Sequence, residues 1–324
     1  MSYEQFRERR DLWLRCLSGD DRHSVSKQIH GVVWYAAAFR VVNEARRLAP
    51  RAQGDGVKLN GLVHELIDHG FFTSQAVAVR RLLDGYKLDD PKRGVYSLVS
   101  LLEDMRAHAG LITRRHVFDA EQLAYDYSLI REEQIQYRDE RRKAGKRAYA
   151  IPWRLNYHQH EKRHEAMDRL CGILASERSE GDSIRPAVFE VLRDRLRQAG
   201  QGLQQLVDKY LAHAASPESR TTVNADGGGV SLAELWEAHK VICQVANFVS
   251  VNVLGSHNLG FLALPQYDQF RYMTRPLVHE EAVPELQAVW KSFEKETHEW
   301  ALWGLDEFEK TFDSRGETDK HHER

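Results

Sequence analysis

Three groups of residues in this chain have types and spacings that chemistry can use. The first is His160-Glu161-Lys162-Arg163-His164, an H-E-x-x-H pattern. On a helix, residues four apart share a face, so both imidazoles could bind zinc with Glu161 as general base. His158 adds a further nitrogen, and Asp168 and Glu177 are candidates for a third ligand. The surrounding run, YHQHEKRHEAMDR, is polar all round, and the competing reading is a solvated helix face without metal. The second group is basic: Arg138, Arg141, Arg142, Lys143, Lys146 and Arg147, interleaved with Tyr137, Tyr149 and Trp153. Arginines for phosphate and aromatics for base stacking are what single-stranded RNA needs. A solvated linker helix is the alternative. The third group is Asp208-Lys209-Tyr210-Leu211-Ala212-His213, at the end of a long helical pattern. A histidine there either complements the helix dipole as a cation or presents a polar group at a cleft.

The elements that must hold these groups read as helices. Val188, Val191, Leu192, Leu196, Leu203, Leu206, Val207, Tyr210 and Leu211 recur at helical spacing, which predicts one helix over residues 183–215. Pro186 suits its first turn, Asp182 or Ser183 is the expected cap, and Ser216-Pro217 ends it. Helices are also expected over residues 1–18, 24–48, 59–69, 73–83, 119–143 and 152–176, with one more starting at Ser97 or Ser100. Ser231 and Glu234 form a capping-box pattern that launches a helix through Val253, and Pro284 opens a last one reaching Phe312. Between the two longest helices, Gly227-Gly228-Gly229 lacks the Gly-Lys-Ser/Thr that a phosphate loop requires. The fold expected is all-α, a multi-helix bundle with long antiparallel helices.

Composition narrows the setting. Charged residues make up 29 % and the net charge is −2, so only local patches can argue for nucleic acid or an anionic membrane. Cys16, Cys171 and Cys243 lie far apart, outside any C-x-x-C spacing, and read as thiols in a reducing compartment. The first sixteen residues are charged throughout, which is unlike a secretory signal. Polar residues interrupt the most apolar stretch, residues 241–264, so it reads as core and not as a membrane span. A cytoplasmic location without membrane association is expected. The basic run ending at Ile151-Pro152 marks an expected boundary, with an N-terminal helical region over 1–150, a helical bundle over 151–313 and a disordered tail over 314–324.

Several stretches carry a family resemblance: Arg80-Arg81-Leu82-Leu83-Asp84-Gly85, Tyr96 to Leu102, Leu206 to Ala214, and Ser231 to Trp236 with Val241-Ile242. On these, the chain resembles the HEPN superfamily, and within it the AbiU-like, abortive-infection branch. The resemblance implies a HEPN-like C-terminal half. It also implies a phage-defence or toxin-type protein that binds or cleaves RNA, a homodimer and a possible cognate antitoxin. No cofactor is implied. The family's metal-independent RNase signature is an arginine, a polar residue and a histidine. His213 matches the histidine as acid/base and Asp208 the polar, orienting position. Lys209 is the nearest cation, because Val207 occupies the arginine position. The active site is then either degenerate or completed by an arginine from elsewhere, such as Arg193, Arg197, Arg220 or a partner chain. Two further classes stay open: a zinc-dependent hydrolase using His160, Glu161 and His164, and a non-catalytic helical interaction protein.

Overall fold

The computed structural model describes residues 2–48, 61–90, 92–145, 151–208, 230–261, 267–268, 270–271 and 280–300. Ten α-helices and no β-strand occur among them. Contacts divide the chain into two units, Met1–Leu264 and Pro265–Arg324. The expected boundary at 150 therefore falls inside the first unit, and the expected tail lies outside the described residues.

In the first unit, α1 (Tyr3–Ser18) begins at a capping box in which Ser2 and Gln5 satisfy each other's backbone N–H. It buries Phe6, Trp13, Cys16 and Leu17. Then come α2 (Val25–Leu48) and α3 (Gly61–Leu82). The break expected between residues 69 and 73 does not form. Gly70 costs a helix interior about 1 kcal/mol against alanine, but α3 packs against α2 and α8, and Phe71, Ala76, Val79 and Leu82 hold it straight through. Next is α4 (Leu98–Ala107), where Ser97 is the cap: its Oγ accepts from the Ser100 N–H at 2.9 Å. The single helix expected over 119–143 is two, α5 (Arg114–Glu121) and α6 (Ser128–Lys143). They are separated at Gln122, which takes the left-handed conformation with φ 54°.

Two helices organise the rest. After α7 (Tyr157–Cys171), α8 (Pro186–Leu206) opens on its proline without a side-chain cap. Asp182, one of the two expected caps, accepts from the Ser179 N–H and from Arg114 instead. α8 lies at the centre, packed on α3, α4 and α9 (Leu232–Phe248). Phe189, Leu196 and Leu203 face the core, whereas Val191 is exposed. At Gly200, an added Cβ would lie 2.1 Å from a Leu83 methyl, so the missing side chain lets α8 and α3 approach closely. α9 runs antiparallel to α8: Arg195 donates to Gln244 at 2.6 Å, while Gly202 sits near Val230 and Glu234. The Ser231–Glu234 capping box forms as expected, and beyond Phe248 the helix widens into a π-helical segment, Val249–Val253. In the second unit, α10 (Val283–Trp300) carries Pro284 in its first turn and exposes Leu286, Val289 and Trp290.

All three cysteines are free thiols. Burial pushes Cys16 up to about 12 and Cys171 and Cys243 up to about 11, so none is a ready thiolate. Among the described residues, no helix is long and apolar enough to cross a membrane.

Candidate functional site

At the C-terminal end of α8 the backbone is π-helical at Val207 and Asp208. Val207 is 2 % exposed and belongs to the core. An arginine there would need a buried partner, which explains why this position cannot present a cation. Asp208 points outward, its side chain 48 % exposed, and receives one from another helix. Arg80, in the last turn of α3, donates from Nε to Asp208 Oδ1 at 2.9 Å and from Nη1 to both Asp84 oxygens at 3.0 and 3.1 Å. The hydrogen bond that Arg80 donates to Asp208 raises the Arg80 pKa further. Desolvation raises Asp84 despite the guanidinium beside it. Next along α3, Arg81 reaches His23 Nδ1 at 3.3 Å. Arg193 and Arg197, expected as possible suppliers of the missing arginine, turn to Glu103 at 3.0 and 3.7 Å instead. Lys209, His213 and Arg220 lie outside the described residues. The Arg80–Asp84 pair is legible in sequence as an i, i+4 spacing, but nothing local links Arg80 to a residue 128 positions away.

The H-E-x-x-H helix departs from both readings of its sequence. α7 is not a solvated face: it buries His160, Arg163, His164, Met167 and Asp168. Nor does it gather metal ligands. His160 Nε2 donates to the Arg154 carbonyl at 2.9 Å, and Glu161 faces outward beside His158 at 3.3 Å. His164 Nδ1 accepts from the Arg114 guanidinium at 3.2 Å, which leaves the proton of the neutral ring on Nε2. Asp168 and Glu177, the candidates for a third ligand, are also engaged. Glu177 accepts from the Leu174 N–H at 3.2 Å, and Asp168 takes Arg114 at 2.8 Å and Arg178 at 2.6 Å. Among the described residues, no three His, Cys, Asp or Glu side chains are grouped to hold a metal ion.

What α7 builds is an ionic lock. Arg114 is 0 % exposed and bonds Asp168, Asp182 and His164, so it fastens α5 to α7 and to the segment before α8. Arg114 and Arg178 balance Asp168 and Asp182, the condition for burying charge. Desolvation works to raise Asp168, but the hydrogen bonds from Arg178 and Arg114 win and hold it below the usual carboxylate range. His164 is pushed down to about 4, first by burial and then by Arg114 and Arg178, and so is neutral at pH 7.

The basic segment is split. α6 buries only Gln134 and leaves Arg138 and Arg142 exposed, while Arg141 is half-buried. Lys146 and Arg147 lie outside the described residues. Trp153, 47 % exposed, opens a 3-10 turn (Trp153–Leu155) that packs against α6. Its ring lines a cleft together with residues of α1, α5, α7 and the π-helical segment, and α6 arginines do not line it. That segment follows the C-terminal end of α9, whereas Asp208 lies toward the N-terminal end. At 1.5 Å per residue the 17 residues of α9 put about 25 Å between them. Trp153 and Asp208 therefore do not share one cleft.

Compared with known proteins, the chain matches no family model, no curated protein and no solved structure.

Proposed function

We propose that this is a HEPN-type, RNA-acting protein of the phage-defence or toxin class, with its catalytic groups at the C-terminal end of α8. The observation that carries the reading is Arg80 held against Asp208 at 2.9 Å. A guanidinium from α3 takes the role that Val207 cannot fill, and it comes from the Arg80–Gly85 stretch on which the resemblance rests. In this scheme Arg80 and Lys209 stabilise phosphate charge, and Asp208 orients Arg80. His213 takes the proton as a ribose 2′-OH attacks phosphorus, and a proton returns to the departing 5′-oxygen. The reaction needs no metal. A homodimer would set two such helix ends across one cleft, in the cytoplasm, under a cognate antitoxin.

The test is cleavage of end-labelled single-stranded RNA in EDTA by wild type, His213→Ala and Arg80→Ala. The expected result is loss of cleavage with His213→Ala and a fall of about 10²–10³-fold with Arg80→Ala, the usual loss for one charge-stabilising donor. Equal cleavage by wild type and His213→Ala, or none by either, refutes the catalytic reading. One observation favours a second reading, a non-catalytic interaction protein: Arg80 already satisfies two carboxylates in the free chain. RNA held by wild type without cleavage is the outcome that reading expects.

A further inference from the structure

The cleft beside Trp153 has a volume of about 610 Å³ and a built floor. Glu121 at the end of α5 and Arg163 of α7 form a forked ion pair at 2.6–3.0 Å, both side chains about nine-tenths buried. Arg163 also donates to the Asn252 and Val253 carbonyls, the last of the π-helical segment. Arg10 of α1 donates to the Leu254 carbonyl at 2.9 Å. These carbonyls are the orphans that every helix end leaves, and two arginines satisfy them. Gly255 follows with φ +60°, and a Cβ there would lie 1.9 Å from Glu121 Oε1. The left-handed Gln122 forms another part of the rim. A π-helical end and a left-handed residue facing one cleft are departures that concentrate at functional sites.

The lining has a consistent chemistry. Arg163 is neutralised by Glu121, but Arg10 bonds only a neutral carbonyl and keeps its charge. Lys162 is exposed at the mouth. Among the described residues, no carboxylate pairs with Arg10 or Lys162. Trp153 offers an exposed ring, and Gln122, Gln159 and Asn252 offer amides that both donate and accept. Two uncompensated cations, a flat aromatic face and three amides match a nucleotide: phosphate, base face and base edge. The geometry points to this cleft as a binding site for a nucleotide of single-stranded RNA. Trp153 stacks on the base, Lys162 and Arg10 meet the phosphate, and Gln159 and Asn252 read the base edge. The inference rests on the RNA reading above and assigns RNA binding to a place about 25 Å from the cleaving end, measured along α9.

The test is fluorescence anisotropy with a labelled 20-nucleotide single-stranded RNA and the full chain, in a His213→Ala background that keeps the probe intact. Trp153→Ala is expected to weaken binding about tenfold or more, and Trp153→Phe to restore most of it, because stacking needs a ring and not an indole. Lys162→Ala is expected to reduce the slope of log affinity against log salt by about 0.7, the signature of one lost phosphate contact on a single strand. A packing role for either exposed residue moves neither readout. RNA binding unchanged by both Trp153→Ala and Lys162→Ala overturns the cleft and leaves the RNA reading standing. No RNA binding by the parent chain overturns both.

Discussion

Lowering the pH from 7 to 5 should destabilise this protein through two buried histidines. His164 sits on α7 at 1 % exposure, its Nδ1 taken by Arg114 and its Nε2 without a hydrogen-bond partner. His239 of α9 is also buried, against the Trp236 ring, with Nε2 unpartnered and Arg40 nearby. Burial, then the neighbouring guanidiniums, pushes each from an ordinary 6.5 down to about 4. Between those values the unfolded chain binds protons that the folded chain refuses, so stability falls as pH falls. At pH 5, the linkage comes to about 2 kcal/mol per histidine and about 4 for the pair, out of a typical total of about 5–15. Asp168 contributes nothing in this window, since its lowered pKa makes its stabilisation fade only below the ordinary carboxylate range. Urea unfolding at pH 7 and pH 5, followed by circular dichroism, measures the difference. His164→Gln and His239→Gln should each remove about half of the pH dependence, whatever they do to stability at pH 7. Equal stability at the two pH values, or an undiminished dependence in both variants, would refute the account of these histidines as buried and neutral.

Two further outcomes follow from α7. Asp168→Ala leaves the Arg114 guanidinium buried with one carboxylate fewer and frees Arg178, and should cost about 3–5 kcal/mol in urea unfolding at pH 7, the range for breaking a buried ion pair; a cost under about 1 kcal/mol would show that the lock carries no stability. Elemental analysis of purified protein should find no stoichiometric zinc, because no third His, Cys, Asp or Glu side chain is grouped with His160 and His164 among the described residues; one zinc per chain, lost on His160→Ala, would favour the hydrolase.

The local part of this fold was legible in the chain. The 3.6-residue spacing along α8 marks it as a core helix, and the Ser231–Glu234 box places the start of α9 to the residue, because both signals act within one or two turns. Even there the pattern misleads in detail. Val191 looks like part of the apolar face and is exposed, while Gly200, without a side chain, is where α8 lies closest to Leu83.

The candidate sites depended on contacts across the chain. The α7 sequence is polar on every side, so its burial is invisible until Arg114, 54 residues earlier, and Arg178 arrive to neutralise Asp168. The Asp208 partner, Arg80, is 128 positions away, and the cleft beside Trp153 draws on α1, α5, α7 and the end of α9. By itself the sequence determined which segments coil and where several of them begin, because hydrogen bonds four residues apart and the spacing of apolar side chains are local. Only the tertiary structure decided which charges are buried, which arginine meets Asp208 and which aromatic stays open to a ligand. Desolvation and ion pairing depend on neighbours in space, and no spacing along the chain encodes them.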